Sequence, residues 1–322
     1  MRLHYTSSKI IVSNNQLYAS FFPKYFINFF LWLKQKINFA LGRVLPEPQL
    51  SLIKSLLFGG KDNLPRDLKD KIRRVGLSHL VAVSGLHLTI VSQIITTILN
   101  ACLISGFLNF FISCCFIFGF VVMADFSSSI IRASIMAFLL LLSQLFHRQY
   151  RSSYALIFAI LIMAAINPQI IKNDLGFQLS VLATLGIIYI FPLFKKKRAL
   201  NVWQESFFLS LSALIFVLPW IIYKTQMLSW ITPLSNILVV PIIPYIMILC
   251  FLVVFSGFIF PISFFLGFCL NLVLTYVLKV IVILSRWPRV EIFIPQFSWL
   301  CVVIYYSLLM YFIYYHYKKY EN

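Results

Sequence analysis

The stretch "GLSHLVAVSGLHLTIV", residues 76–91, places side chains that can do chemistry inside an apolar run. Ser84 and His87 stand three residues apart and would share one face of a helix, while Gly85 would let another helix approach closely. A serine beside a histidine can supply a nucleophile and its base, but no orienting acid or oxyanion hole accompanies this pair. We therefore expect no catalysis. Interhelical hydrogen bonds and the lining of a polar pathway are the two roles that stay open.

Arg132 is the second candidate, in "DFSSSIIRASIMA", residues 125–137. The serines at 127, 128 and 129 precede it at the predicted start of a helix, where free backbone amides attract anions. Asp125 could instead pair with the guanidinium. The sequence therefore leaves two roles open for Arg132, contact with an anion and a local ion pair.

Two further segments bring polar groups into apolar sequence. In "NDLGFQLSVLATLG", residues 173–186, Asp174 and Gln178 are four apart and share a helix face, although Asn173 or Asp174 also fits a helix N-cap. In "WITPLSNILVVPIIP", residues 230–244, three prolines surround Ser235 and Asn236. Irregular backbone at membrane depth persists only inside protein or beside a wet cavity, so we interpret this segment as a broken or re-entrant helix.

The elements that must position these residues are membrane spans. The chain has 322 residues, of which 61% are hydrophobic and only 11% charged, a composition outside the soluble globular range. A hydrocarbon core about 30 Å thick needs about 20 apolar residues per helix. The apolar stretches that predict such helices are 79–104, 107–124, 130–146, 153–168, 176–194, 206–223, 234–260, 262–284 and 296–316. The expected fold is an all-α integral membrane bundle of nine spans, or ten if 17–33 also crosses, with at least one broken or re-entrant segment.

The chain divides into three predicted parts. Residues 1–33 form an N-terminal membrane-associated segment, residues 34–78 a basic amphipathic helical segment, and residues 79–322 the polytopic domain. The middle part includes Lys71, Arg73 and Arg74, and the whole chain carries 27 Lys and Arg against 9 Asp and Glu. Contact with anionic lipid and contact with a polyanionic partner both fit this excess of positive charge.

The sequence contains no motif that is typical of a metal or cofactor site. All six cysteines fall inside apolar segments, without CxxC or a His/Cys spacing suited to zinc. The sequence contains no Walker A loop, HEXXH, EF-hand loop or GxSxG. We expect no metal and no cofactor.

The four stretches together resemble the ComEC competence-protein family, specifically its membrane domain. The resemblance runs from about residue 46 to about residue 257, with four motifs in the order of the family. They are "LLFGGKDNLPRDLKDKIRRVGLSHLVAVSGLHLTIV", "SSIIRASIMA", "NPQIIKNDLGFQLSVLATLGIIY" and "SWITPLSNILVVPIIP".

This resemblance implies a multi-pass protein of the bacterial inner membrane that forms the channel for single-stranded DNA uptake in natural transformation. Full-length members commonly add an OB-fold-like domain and a metallo-β-lactamase-like nuclease domain, and this sequence contains no HxHxDH metal signature. We therefore expect a minimal form, with a DNA receptor, a nuclease and a cytosolic motor as separate proteins. The alternative is a transporter of another anionic or amphipathic solute that shares the same fold.

A channel for DNA needs polar groups at membrane depth, because a strand carries about one phosphate charge per nucleotide. The pathway candidates are Ser84, Gly85, His87, Arg132, Asp174, Gln178, Ser235 and Asn236. The candidates for a DNA-gathering mouth are Lys71, Arg73 and Arg74. Lipid contact would explain these three cations nearly as well.

Overall fold

A computed structural model describes residues 23–60, 64–81, 85–104, 106–195, 201–256, 260–295 and 298–321. The first helices are α1 (Lys24–Gly42), α2 (Gln49–Phe58), α3 (Arg66–Arg74), α4 (Ser78–Val81), α5 (Gly85–Ala101), α6 (Gly106–Met123), α7 (Ser128–Leu145), α8 (Ser152–Ile166) and α9 (Ile170–Asn173). The remaining elements are α10 (Leu175–Tyr189), α11 (Phe191–Lys195), α12 (Val202–Thr225), β1 (Met227–Ser229), α13 (Thr232–Val239), α14 (Ile243–Phe255), α15 (Phe260–Ser285), β2 (Glu291–Phe293) and α16 (Trp299–Glu321).

The predicted helical, polytopic architecture is confirmed, but the count of nine or ten spans is not. Seven helical stretches in the described part of the chain are long and apolar enough to cross a membrane. They are Gly106–Met123, Ser128–Leu145, Leu175–Lys195, Trp203–Thr225, Thr232–Phe255, Pro261–Ser285 and Trp299–His316. In the described residues of two other predicted spans, 79–104 and 153–168, the apolar helices are the shorter His87–Ala101 and Ser152–Ile166.

One element departs from the all-α prediction. Strands β1 and β2 pair antiparallel, with Met227 opposite Phe293, Leu228 opposite Ile292 and Ser229 opposite Glu291. Each strand has three residues, too few for a polar–apolar alternation to stand out from the surrounding sequence. We call this pair the ribbon.

The predicted interruption near residues 230–244 is present. Helix α13 ends at Val239, a 3₁₀ turn covers Val240–Ile242, and α14 begins at Ile243. Pro241 lies inside the turn and has no N–H to donate, so it cannot continue the α-helical bonding there. A re-entrant path for this segment stays a prediction.

The chain forms two compact units. The described residues of unit 1 come from within Met1–Pro65, His79–Ile171 and Pro244–Thr275, and those of unit 2 from within Arg66–Ser78, Lys172–Ile243 and Tyr276–Asn322. Both units are assembled from stretches far apart in sequence. The predicted division into residues 1–33, 34–78 and 79–322 follows the chain linearly, and it stays a prediction.

Unit 1 is built around the packing of α5, α6 and α7 on one another. Helix α8 packs on α7, and α1 packs on α6. The contact between α1 and α6 depends on Gly119, because a Cβ atom there would collide with the ring of Phe30. Phe30 is buried at this crossing.

Unit 2 is built around the crossing of α10 and α12, with α16 packed on α12. At the crossing, Gly186 of α10 lies against the backbone of α12, where a Cβ atom would collide with the carbonyl oxygen of Ser212. A small residue here lets the two backbones approach closely, as is common between membrane helices. Phe216 and Ile313 join Ile190 in the buried core of the three helices.

Replacing Gly186 by Ala should therefore destabilise unit 2. We expect a lower melting temperature in detergent, with a loss of about 1–3 kcal/mol from overpacking. Gly106→Ala is the matched control, because a Cβ atom at Gly106 meets nothing within 4 Å. Equal melting temperatures for the two variants would contradict the close crossing.

Candidate functional site

The predicted site residues fall into two sets. Gly85, His87 and Arg132 belong to unit 1. The set in unit 2 comprises Lys71, Arg73, Arg74, Asp174, Gln178, Ser235 and Asn236. Ser84 lies outside the residues that the structure describes, so its pairing with His87 stays a prediction.

Arg132 and His87 are the buried ionisable groups of the first set. His87 is 0% exposed near the start of α5, and Arg132 is 6% exposed in the second turn of α7. The two helices pack on each other. A Cβ atom at Gly85 would lie 3.8 Å from Nη2 of Arg132 and 3.4 Å from Cβ of Ala133. The guanidinium therefore lies beside the first residue of α5.

The surroundings of Arg132 combine soft and polar groups. Its Nη1 lies 3.5 Å from the sulfur of Met136, and its charge acts on the phenol of Tyr150 in the loop after α7. Burial raises the pKa of Tyr150, while a hydrogen bond with Ser152 and the charge of Arg132 oppose that rise. Tyr150 thus stays a neutral phenol beside the cation.

Asp125, the proposed ion-pair partner of Arg132, has a cation from another helix. Nζ of Lys34 on α1 lies 3.0 Å from one carboxylate oxygen of Asp125 and 3.1 Å from the other. At the N-cap position of α7, Ser127 makes no capping bond through its side chain. Its Oγ is buried and has no hydrogen-bond partner in the described part of the chain. Anion contact and ion pairing both stay open for Arg132.

Unit 1 also contains a polar ladder that sequence reasoning missed. Nδ2 of Asn109 on α6 donates to Oδ1 of Asn100 on α5 at 2.7 Å. Oγ of Ser113, one turn further along α6, lies 3.1 Å from Oδ1 of Asn109. Asparagines in two consecutive apolar segments were the available signal, since such side chains bond across membrane helices.

In unit 2, two backbone hydrogen bonds close the C-terminus of α3. The N–H of Gly76 donates to the carbonyl of Arg73 and the N–H of Leu77 to that of Ile72, each at 3.0 Å. This is the Schellman pattern, with Gly76 in the left-handed region at a φ of +76°. A Cβ atom at Gly76 would also collide with the side chain of Thr232.

Serine hydroxyls donate hydrogen bonds to two further carbonyls at the C-terminal end of α3. Oγ of Ser235 on α13 donates to the carbonyl of Val75 at 2.7 Å, and Oγ of Ser229 on β1 donates to that of Arg74 at 2.5 Å. The last carbonyls of a helix have no partner within the helix. Ser235 therefore has a structural task, which joins α13 to the end of α3. Its role in a pathway stays a prediction.

Asn236, the neighbour of Ser235, differs from it. The residue is 4% exposed. Its Oδ1 is buried and has no hydrogen-bond partner among the residues that the structure describes. A buried polar atom left in this state costs about 1–3 kcal/mol, so Asn236 remains a candidate for contact with water or a passing polar group.

Asp174 and Gln178 both have local tasks. Asp174 is the N-cap of α10, where Oδ1 accepts the N–H of Phe177 at 3.0 Å, so the alternative interpretation of this residue is confirmed. Nε2 of Gln178 donates to the carbonyl of Lys172 at 3.0 Å, and Oε1 accepts from the indole of Trp220 at 2.9 Å. Gln178 thereby ties α10 to α12. The pathway roles of both residues stay predictions.

Pro219, the residue before Trp220, interrupts the bonding of α12. Proline has no N–H, so the carbonyl of Ile215 loses its donor four residues later. Oη of Tyr305 on α16 donates to that carbonyl at 3.0 Å, and Oη of Tyr306 donates to the neighbouring carbonyl of Phe216 at 2.6 Å. Sequence reasoning missed this pair of tyrosines. A proline in the middle of an apolar segment was the signal for a replacement donor.

The basic residues at the end of α3 are partly committed to ion pairs. Nζ of Lys71 lies 2.6 Å from Oδ2 of Asp67, and Nε of Arg73 lies 3.5 Å from Oε1 of Glu291 on β2. Arg73 and Arg74 are exposed. Exposed ion pairs contribute about 0–1 kcal/mol, so these side chains can exchange partners at little cost.

The Tyr305 bond can be tested by a double-mutant cycle. Tyr305→Phe should lower the free energy of unfolding by about 0.6–1.7 kcal/mol, since the Ile215 carbonyl then has no donor. In a Pro219→Ala background the backbone N–H returns, so the same change should cost less when unfolding is followed in detergent. Tyr306→Phe is the matched control, because its acceptor, Phe216, is not the carbonyl that Pro219 deprives. Equal costs of Tyr305→Phe in both backgrounds would contradict this role.

The sequence of this chain is similar to those of known proteins. Residues 56–319 match the family model described as "Competence protein". ComE operon protein 3 of Bacillus subtilis (strain 168) is 24% identical over 211 residues, which cover 66% of this chain and 27% of that protein. The chain thus spans about a quarter of the length of this relative. No solved structure matches. Because the family model covers most of the chain, including all four motifs predicted from sequence, the protein belongs to the Competence protein family.

Proposed function

We propose that this protein conducts single-stranded DNA across the bacterial inner membrane during natural transformation. It acts as a conduit and not as an enzyme. Membership of the Competence protein family supports a task in DNA uptake. A DNA receptor, a nuclease and a cytosolic motor are proposed as separate partners, and lipids surround the spans.

The observation that carries the proposal is the burial of Arg132. A permanently charged guanidinium lies 6% exposed within Ser128–Leu145, a helix long and apolar enough to span a membrane. Ionisable groups at membrane depth are costly and typically mark the path of a substrate or an ion. Arg132 also lies beside Gly85, which belongs to a different motif of the family resemblance.

The physical need for such a group follows from the charge of DNA. Each nucleotide carries about one negative charge, and moving one bare ion into a medium of low dielectric constant has an idealised Born cost of order 20 kcal/mol. A fixed guanidinium offers bidentate hydrogen bonds to phosphate oxygens and offsets part of that cost. His87 supplies a second polar group on α5, which packs on the same helix.

Uptake of labelled DNA into competent cells tests the proposal. Arg132→Ala should reduce uptake about tenfold to hundredfold, as expected for the loss of charge-assisted hydrogen bonds worth about 1.5–3 kcal/mol. His87→Ala should reduce it as well, and Arg132→Lys should retain an intermediate level because lysine keeps the charge without the planar fork. Membrane insertion is measured by immunoblot of the membrane fraction.

The matched control is Arg148→Ala, which removes an exposed arginine just after the same helix. Uptake by this variant should be normal. If Arg132→Ala and His87→Ala both insert and both take up DNA normally, neither residue lies on the path. Flux of a small anion through reconstituted vesicles without any dependence on DNA would favour a solute transporter instead.

A further inference from the structure

The exposed residues of the ribbon form an apolar surface next to cations. Met227, Ile292 and Phe293 are exposed, with Phe293 at 65%. Met227 and Phe293 form a cross-strand pair on one face, while Ile292 lies on the opposite face. An isolated two-stranded ribbon is marginally stable in water, so a ribbon with apolar side chains on both faces fits a less polar medium.

Two tryptophans extend this surface. Trp230, just after β1, and Trp287, just after α15, have ring centroids 6.0 Å apart and are each nearly half exposed. Nε1 of Trp230 donates to the carbonyl of Arg289 at 2.9 Å, which fixes the ring while its apolar area stays accessible. Arg289 itself has a φ of +53°. The loop between α15 and β2 is thus held in a defined shape.

Exposed cations lie close to the ribbon and to the two tryptophans along the chain. Lys224, Arg286 and Arg289 are exposed in the two segments that flank the ribbon. Glu291, the first residue of β2, is already paired with Arg73 of α3. Nζ of Lys224 lies 5.3 Å from the ring centroid of Trp220, within one turn of the end of α12. The surface therefore combines aromatic and aliphatic groups with positive charge.

The position of this surface along the chain indicates which environment it faces. β1 follows the candidate span Trp203–Thr225, and the Trp287 loop follows the candidate span Pro261–Ser285. Tryptophan and basic residues at the ends of membrane helices lie at the level of the lipid headgroups. We propose that the ribbon, Trp230, Trp287, Arg286 and Arg289 form a docking surface for anionic phospholipid, with the rings among the upper acyl chains and the arginines on headgroup phosphates.

Single-stranded DNA is the other polyanion that aromatic rings and arginines can bind, by stacking of bases. The exposed Met227 and Ile292 favour lipid, because these side chains have no ring on which a base can stack and would face water in a DNA complex. The lipid surface is independent of the proposed channel function. Loss of lipid binding and loss of DNA uptake are separate measurements.

The first test measures the depth of the tryptophans. The full chain is placed in nanodiscs whose lipids carry bromine either near the headgroup or near the end of the acyl chain. The fluorescence component lost in Trp287→Phe should be quenched more strongly by the shallow bromines. Trp299→Phe serves as a comparison from another helix. Quenching of the Trp287 component by aqueous iodide alone would overturn the proposal.

The second test measures lipid selectivity. Binding of fluorescent phosphatidylglycerol to protein in phosphatidylcholine nanodiscs should weaken about fivefold for each of Arg286→Ala and Arg289→Ala, and added salt should weaken it further. Arg148→Ala should bind normally. Equal binding of phosphatidylglycerol and phosphatidylcholine by the unaltered protein would overturn the proposal. So would photocrosslinking of a single-stranded oligonucleotide to Trp287 in place of lipid contact.

Discussion

The structure depends on one constraint, that backbone donors and acceptors in hydrocarbon must find partners within the protein. Regular helices meet it by themselves, and side chains are needed where a helix ends or is interrupted. Tyr305 donates to the carbonyl that Pro219 leaves without a donor, and Ser235 donates to the carbonyl of Val75, the residue after α3. Gln178 donates a hydrogen bond to the carbonyl of Lys172 in α9, the short helix before α10. Many polar residues inside apolar segments are therefore explained by the backbone that they bond.

The same constraint decides what the sequence could predict. The span predicted at 107–124 is found at Gly106–Met123, because hydropathy and length directly reflect the lipid. The N-cap role of Asp174 was also open to sequence reasoning, since its acceptor and donor lie three residues apart. The bonds of Trp220 to Gln178 and of Ser235 to Val75 join residues 42 and 160 positions apart, and they depend on tertiary packing.

The span count was harder to predict for a geometric reason. A helix rises 1.5 Å per residue, so the 15 residues of α8 extend about 22 Å against a hydrocarbon core of about 30 Å. The apolar stretch 79–104 reads as one long helix by composition, yet the apolar helix that the structure describes within it is the shorter His87–Ala101. Apolar composition alone does not distinguish a short buried helix from a full span. The ribbon escaped prediction because its register is set between segments more than sixty residues apart.

The hydrogen bonds that these side chains make to the backbone affect how strongly each predicted pathway residue is supported as a contact for substrate. Asp174, Gln178 and Ser235 each make bonds that account for a polar side chain at their positions without any substrate. Asn236 differs, because its buried Oδ1 has no hydrogen-bond partner among the described residues. Arg132 differs as well, because a buried guanidinium costs far more than a buried hydroxyl and would be an expensive way to join two helices. Arg132, because of the cost of burying its charge, and Asn236, because of its buried Oδ1, therefore rank as candidates for contact with a substrate above the residues whose side chains bond the backbone.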